Sequence, residues 1–183
     1  MLFRSHLPLT KWFMAIAMMA QAKKGVSALQ MQRHLGVAYK TAWHLCHRIR
    51  KAMEPQGGGL LNGKVEVDET YVGGKFDKRR KRARYDKTPV IGMVERGGEV
   101  RAFVPGQRVT AKVALSSIHE NVAPTAHVNT DESLLYEFVH KTHAHSTVRH
   151  SIKEYVRGNT HTQTIDGFWG LFKRRLIGTH HQV

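Results

Sequence analysis

The chain has 183 residues, 41% of them apolar, and its 29 lysines and arginines against 14 acids leave a formal net charge of +15. That length holds one good core, or a small module beside a domain of roughly 120 to 130 residues, and the charge calls for a polyanionic partner, most simply nucleic acid. The single cysteine, Cys46, excludes an internal disulfide and a cysteine-rich zinc module; the apolar stretch from Trp12 to Ala20 is shorter than the about 18 residues of a membrane span, its QAKKG flank offers no cleavage site for a signal peptide, and no long lysine-rich amphipathic helix suits a membrane surface.

Residues 1–54 read as helical. Trp12, Phe13, Ile16, Met19 and Ala20 follow a helix period over Leu9 to Ala22, and Gly25 stops it. Ser27 is an N-cap for a short helix carrying Leu29, Met31 and Leu35. Gly36 turns the chain into a third helix from Tyr39 to Met53, with Ala42, Trp43, Leu45, Cys46 and Ile49 apolar. Helix, glycine turn, helix is the helix-turn-helix pattern, and Lys40, Thr41, His44, His47, Arg48, Arg50 and Lys51 suit groove and phosphate contacts. The plainer alternative is a three-helix packing module with a solvated basic face. Residues 55–59, Pro-Gln followed by three glycines, form a linker by composition, so the expected domains are 1–54, a linker at 55–59, and 60–183.

From Leu60 the period changes to two. Lys64 to Val72 is a first strand ended by Gly73-Gly74, and 75–87 is a basic loop. Pro89 to Glu95 and Glu99 to Val104 read as a hairpin turning at Gly97-Gly98. Thr110 caps a helix through Asn121, Ala126 to Thr130 is a fourth strand, and a helix is expected from about Ser133 to Lys141. Ser146 to Arg149 is a short fifth strand, and a last helix runs from about Thr164 to Leu176. The order β-β-β-α-β-α-β-α is that of an α/β, ribonuclease H-like fold with a mixed five-stranded sheet.

Three acids stand out against the basic background: Asp68 on the first strand, Asp131 just after the fourth, and Asp166 on the last helix. Taken singly, each has a structural reading. A strand end tolerates the crowd of Glu66, Asp68 and Glu69; Asp131 can cap the helix near Ser133; Asp166 is a first-turn acid that favours the helix dipole. Taken together in that fold, they are hard oxygen ligands for two divalent cations, Mg²⁺ or Mn²⁺, of the kind that cut and join phosphodiesters. Lys173, seven positions after Asp166 on the same helix face, can meet the same phosphate. The run Lys78, Arg79, Arg80, Lys81 and Arg82 predicts salt-dependent DNA binding. His140, His143, His145, His150 and His161 lack cysteine partners and zinc spacing; His150 or His161 lining the acidic site is the stronger expectation.

The segments VEVDETYVGGK, VNTDESLLY, TVRHSIKEYV and HTQTIDGFWGLFKRRLIGTHH resemble the bacterial insertion-sequence DDE transposases of the IS-fifteen-ninety-five (ISXO-two-like) type. The helical segment from Lys23 to Met53 resembles the part that precedes their catalytic domain. The resemblance implies metal-dependent DNA cleavage and strand transfer at insertion-sequence ends by a ribonuclease H-like domain. It implies terminal inverted repeats and target DNA as double-stranded partners, a homo-oligomer when active, and a bacterial cytoplasmic, nucleoid-associated location. Asp68 and Asp131 match the first two acids, and Lys173 matches the lysine after the third. The third position falls within a pattern like HTNTIEGFW, and here Gln163 replaces Asn and Asp166 replaces Glu. Such relatives often begin with a zinc ribbon and continue past the GTHH segment, so the chain is expected to be trimmed at both ends. The alternatives to an active transposase are a weakened or inactive DNA-binding remnant and a stand-alone metal nuclease.

Overall fold

A computed structural model describes residues 5–54, 58–73, 87–106 and 108–179. The chain divides into two compact units, one of Met1–Gly57 with Leu171–Gln182 and one centred on Gly58–Gly170.

In the helical unit, α1 (Leu9–Gln21), α2 (Ala28–Leu35) and α3 (Tyr39–Ala52) enclose a core of Trp12, Ala15, Met19, Met31, Leu35, Ala42, Leu45, Cys46 and Ile49. The Ser27 hydroxyl accepts the Gln30 N–H at 3.1 Å and caps α2. Gly36 closes that helix at φ 58°, a left-handed conformation that costs a residue without a Cβ little. The Trp12 indole donates to Ser5 Oγ at 2.8 Å, so this buried ring keeps its polar end satisfied.

The second unit is built on a five-stranded sheet in the order β3-β2-β1-β4-β5. Its strands are β1 (Lys64–Val72), β2 (Thr88–Glu95), β3 (Val100–Phe103), β4 (His127–Thr130) and β5 (Ala144–Thr147). The first three are antiparallel, whereas β4 pairs parallel with β1 and β5 parallel with β4. Alternation along β1 and β2 separates the two faces of the sheet. Val65, Val67, Ile91 and Met93 join Val128 and the buried face of α4 (Ala111–Asn121) in the core. Thr110 caps α4 through the Val113 N–H at 3.3 Å. The opposite face carries Glu66, Asp68 and Gly92, and there Ile165 and Trp169 of α5 (Gln163–Thr179) pack. A two-stranded ribbon, β6 (Val156–Arg157) with β7 (Thr160–His161), leads into that helix.

Three elements differ from the sequence expectation. The helix expected over Ser133–Lys141 is two separate 3-10 turns, Leu134–Tyr136 and Val139–Lys141. Their bonds run i to i+3, from Glu137 N–H to Leu134 O and Lys141 N–H to Phe138 O. Each turn carries one anchor, Tyr136 in the first and Val139 in the second, and each is 1% exposed. The fifth strand is Ala144–Thr147, two residues earlier than expected, with Thr147 opposite Thr130. The β6-β7 ribbon has no counterpart in the sequence expectation.

Candidate active site

Parallel pairing of β1 with β4 sets Glu66 opposite Asn129. Two residues beyond that pair come Asp68, still on β1, and Asp131, one residue past the end of β4. Burial pushes the Asp68 carboxyl from 3.8 up to about 7, and the negative charges of Glu69 and Asp131 push in the same direction. Asp166, in the first turn of α5, is also raised. Desolvation is the first cause there, with Glu66 and Asp131 adding to it and His150 opposing. Asp131 therefore acts electrostatically on both other acids. One of its own oxygens accepts the Ser133 N–H at 3.0 Å, so part of the capping role foreseen for it is real.

Asp68 is held from the helix side. The Trp169 indole donates to Asp68 Oδ2 at 2.9 Å, and the ring lies over Gly92, the residue opposite Asp68 in the β1-β2 register. A Cβ at Gly92 would stand 2.5 Å from Trp169 Cζ2, so only glycine lets the ring approach. Beside it, the buried Tyr136 hydroxyl donates to Glu69 Oε2 at 2.6 Å. Desolvation and the crowded carboxylates push the Tyr136 phenol well above its ordinary value.

Glu66 is the acid that the sequence leaves undistinguished, although strand alternation puts it on the same face as Asp68. It is fully buried, with 0% exposure. The Arg96 Nε meets its Oε1 at 2.6 Å, the Thr164 and Ile165 N–H groups donate to Oε2 at 2.8 and 2.9 Å, and the Thr164 hydroxyl donates to Oε1 at 2.9 Å. His161 Nδ1 stands 3.2 Å from the same oxygen. Alternation in VEVDE gives the face of Glu66 but not its burial, which comes from partners far away in the chain.

A family model for the ISXO2-like transposase domain matches residues 60–183. The chain belongs to that family. No curated protein matches it. Among solved structures, 25 chains match. One, from a simian T-cell lymphotropic virus intasome in complex with PP2A regulatory subunit B56 gamma, is 16% identical with a TM-score of 0.38. That match covers 91% of this chain, which spans 58% of the matched chain; so distant a likeness carries no weight for function.

Within the transposase domain, Asp68, Asp131 and Asp166 lie in one unit, and the charge of Asp131 acts on both Asp68 and Asp166. As they stand, no three His, Cys, Asp or Glu side chains among the described residues are grouped closely enough to hold a metal ion. Lys173 is exposed about two turns beyond Asp166 on α5, and Gln163 is exposed where that helix begins. Lys40, Thr41, His44 and Arg48 are all exposed on α3. Lys78, Arg79, Arg80, Lys81 and Arg82 lie outside the described residues. No described helix is long and apolar enough to cross a membrane.

Proposed function

We propose that this chain is a DDE transposase that cleaves the ends of its insertion sequence and joins them to target DNA. The observation that carries the reading is the placement of Asp68 on β1 and of Asp131 just past the end of its parallel neighbour β4, with Asp131 acting on both Asp68 and Asp166. Strand order and direction agree with a ribonuclease H-like fold, β1 to β3 antiparallel and β4 and β5 parallel to β1.

The donor set fits Mg²⁺ or Mn²⁺. Three carboxylates offer hard oxygens, and the burial and like charges that raise Asp68 are what a divalent cation offsets. Asp68 would be the shared ligand, with Asp131 and Asp166 each contributing to one ion. When bound, the cations supply Lewis acidity and neutralise charge on the phosphodiester. The protein's part is to hold its carboxylates rigidly: Asp68 from the middle of a paired strand and from Trp169, Asp131 from the Ser133 turn, Asp166 from the first turn of α5.

The basic residues supply the DNA-binding part of the proposal. Lys40, Thr41, His44 and Arg48 would meet duplex DNA as the second helix of a helix-turn-helix, and Lys173 and Lys78–Arg82 would contact phosphates. The partners are the terminal inverted repeats and target duplex, engaged by a homo-oligomer on the bacterial nucleoid.

The test incubates the full chain with DNA carrying the flanking terminal repeats, in Mg²⁺, in Mn²⁺ and with chelator. Metal-dependent end cleavage followed by joining of the 3′-OH ends is the expected result. Cleavage without joining would make it a stand-alone nuclease. Salt-dependent DNA binding with no cleavage would make it a non-catalytic remnant.

A further inference from the structure

We propose that Glu66 is a positioning residue for Asp166: from β1 it holds the first turn of α5 and so sets where the third carboxylate stands. A helix leaves its first N–H groups without intrahelical partners. In α5 the Thr164 and Ile165 N–H groups end on Glu66 Oε2, and the Asp166 N–H ends on Thr162 O at 3.0 Å. The cap is therefore supplied by a strand nearly a hundred residues earlier in the chain, not by a neighbouring serine or aspartate. A negative charge at that point also favours the helix dipole.

Arg96 completes the clamp. Besides its 2.6 Å bond to Glu66, it donates to Asn159 O at 2.7 Å, just before β7, and to His161 O at 2.8 Å, at the end of β7. Four hydrogen bonds, all from donors, converge on the two Glu66 oxygens. A carboxylate accepts at both; an amide would turn its NH₂ against them. Glu66 and Asp68 share one strand face two residues apart, so the first and third acids are referred to the same rigid backbone. Misplacing a catalytic group by about 1 Å costs roughly a hundredfold in rate.

The inference rests on the reading of the three acids as a cation site, and the experiment separates the two. Mn²⁺ binding to the full chain is followed by electron paramagnetic resonance for wild type, Glu66→Gln, Arg96→Lys and Asp68→Ala, with thermal melts and DNA affinity measured alongside. Glu66→Gln is expected to bind Mn²⁺ roughly tenfold to a hundredfold more weakly, the range found when groups that orient metal ligands are lost. Arg96→Lys keeps the charge beside Glu66 and loses the bonds to the carbonyls; it moves the same way by less, with DNA affinity unchanged. If Glu66→Gln does not fold, Arg96→Lys decides. Wild-type Mn²⁺ affinity in the folded clamp variants, with Mn²⁺ lost in Asp68→Ala, overturns the positioning role and leaves the site reading intact. Unchanged affinity in Asp68→Ala overturns the site reading and this inference together.

Discussion

Glu66 and Asp68 sit two residues apart on one face of one strand, yet they are opposite kinds of carboxylate. Glu66 has no solvent exposure and is surrounded by donors: an arginine, two backbone N–H groups and a hydroxyl. Asp68 is partly exposed, receives the Trp169 indole, and faces the charges of Glu69 and Asp131. Depth of burial does not set the cost of a charge; the match between the charge and its partners does. The fully buried acid belongs to the architecture, and the less buried one is left short of positive charge, as expected of a group that awaits a cation.

The difference can be broken from either side. Glu66→Ala should cost about 3–5 kcal/mol, because Arg96 and the start of α5 lose their counter-charge in a dry place; urea unfolding measures it. Asp68 should behave the opposite way. The folded state holds its proton up to about pH 7 against an ordinary value of 3.8, so the native protein binds more protons than the unfolded chain in that window. Stability therefore falls as pH rises from about 4 through about 7 and levels above. Asp68→Asn escapes that loss and should be more stable than wild type above pH 7 in chelator, on the order of 2 to 4 kcal/mol, with the gap narrowing towards pH 4. A destabilised Asp68→Asn at pH 8 would mean that Asp68 is a structural acid like Glu66.

Two smaller changes sharpen the comparison at the helix. Glu is one methylene longer than Asp, roughly 1.5 Å more reach, and an error of that size can cost about a hundredfold in rate. Asp166→Glu should therefore raise cleavage, Asp166→Asn should lower it, and an inert Asp166→Ala in an active protein would turn attention to Gln163. Gly92→Ala should cost about 1–3 kcal/mol, since its methyl meets the Trp169 ring. It should also loosen the indole bond to Asp68, which near-ultraviolet circular dichroism can follow.

Much of the fold and of the site is legible in the amino-acid sequence. Local signals are reliable where local physics decides: the caps at Ser27 and Thr110, the turn at Gly97-Gly98, the alternation of β1. The three acids are visible because each falls beside a recognisable element. The segment from Ser133 to Lys141 carries apolar residues that suit a helix, but Tyr136 is drawn to Glu69 and Val139 to the core, and three-residue spacing satisfies both. The fifth strand, Ala-His-Ser-Thr, has no apolar alternation; its register comes from pairing with β4. Glu66 reads as one of a crowd at a strand end, because its partners Arg96 and Thr164 are 30 and 98 residues away. Distant partners leave no mark in local sequence.

The most direct test of the account is Asp68→Ala on DNA bearing the terminal repeats in Mn²⁺, with binding and cleavage measured on the same preparation. The account predicts wild-type DNA affinity and cleavage at background, beside a wild type that cuts. Cleavage by Asp68→Ala at the wild-type rate would contradict it.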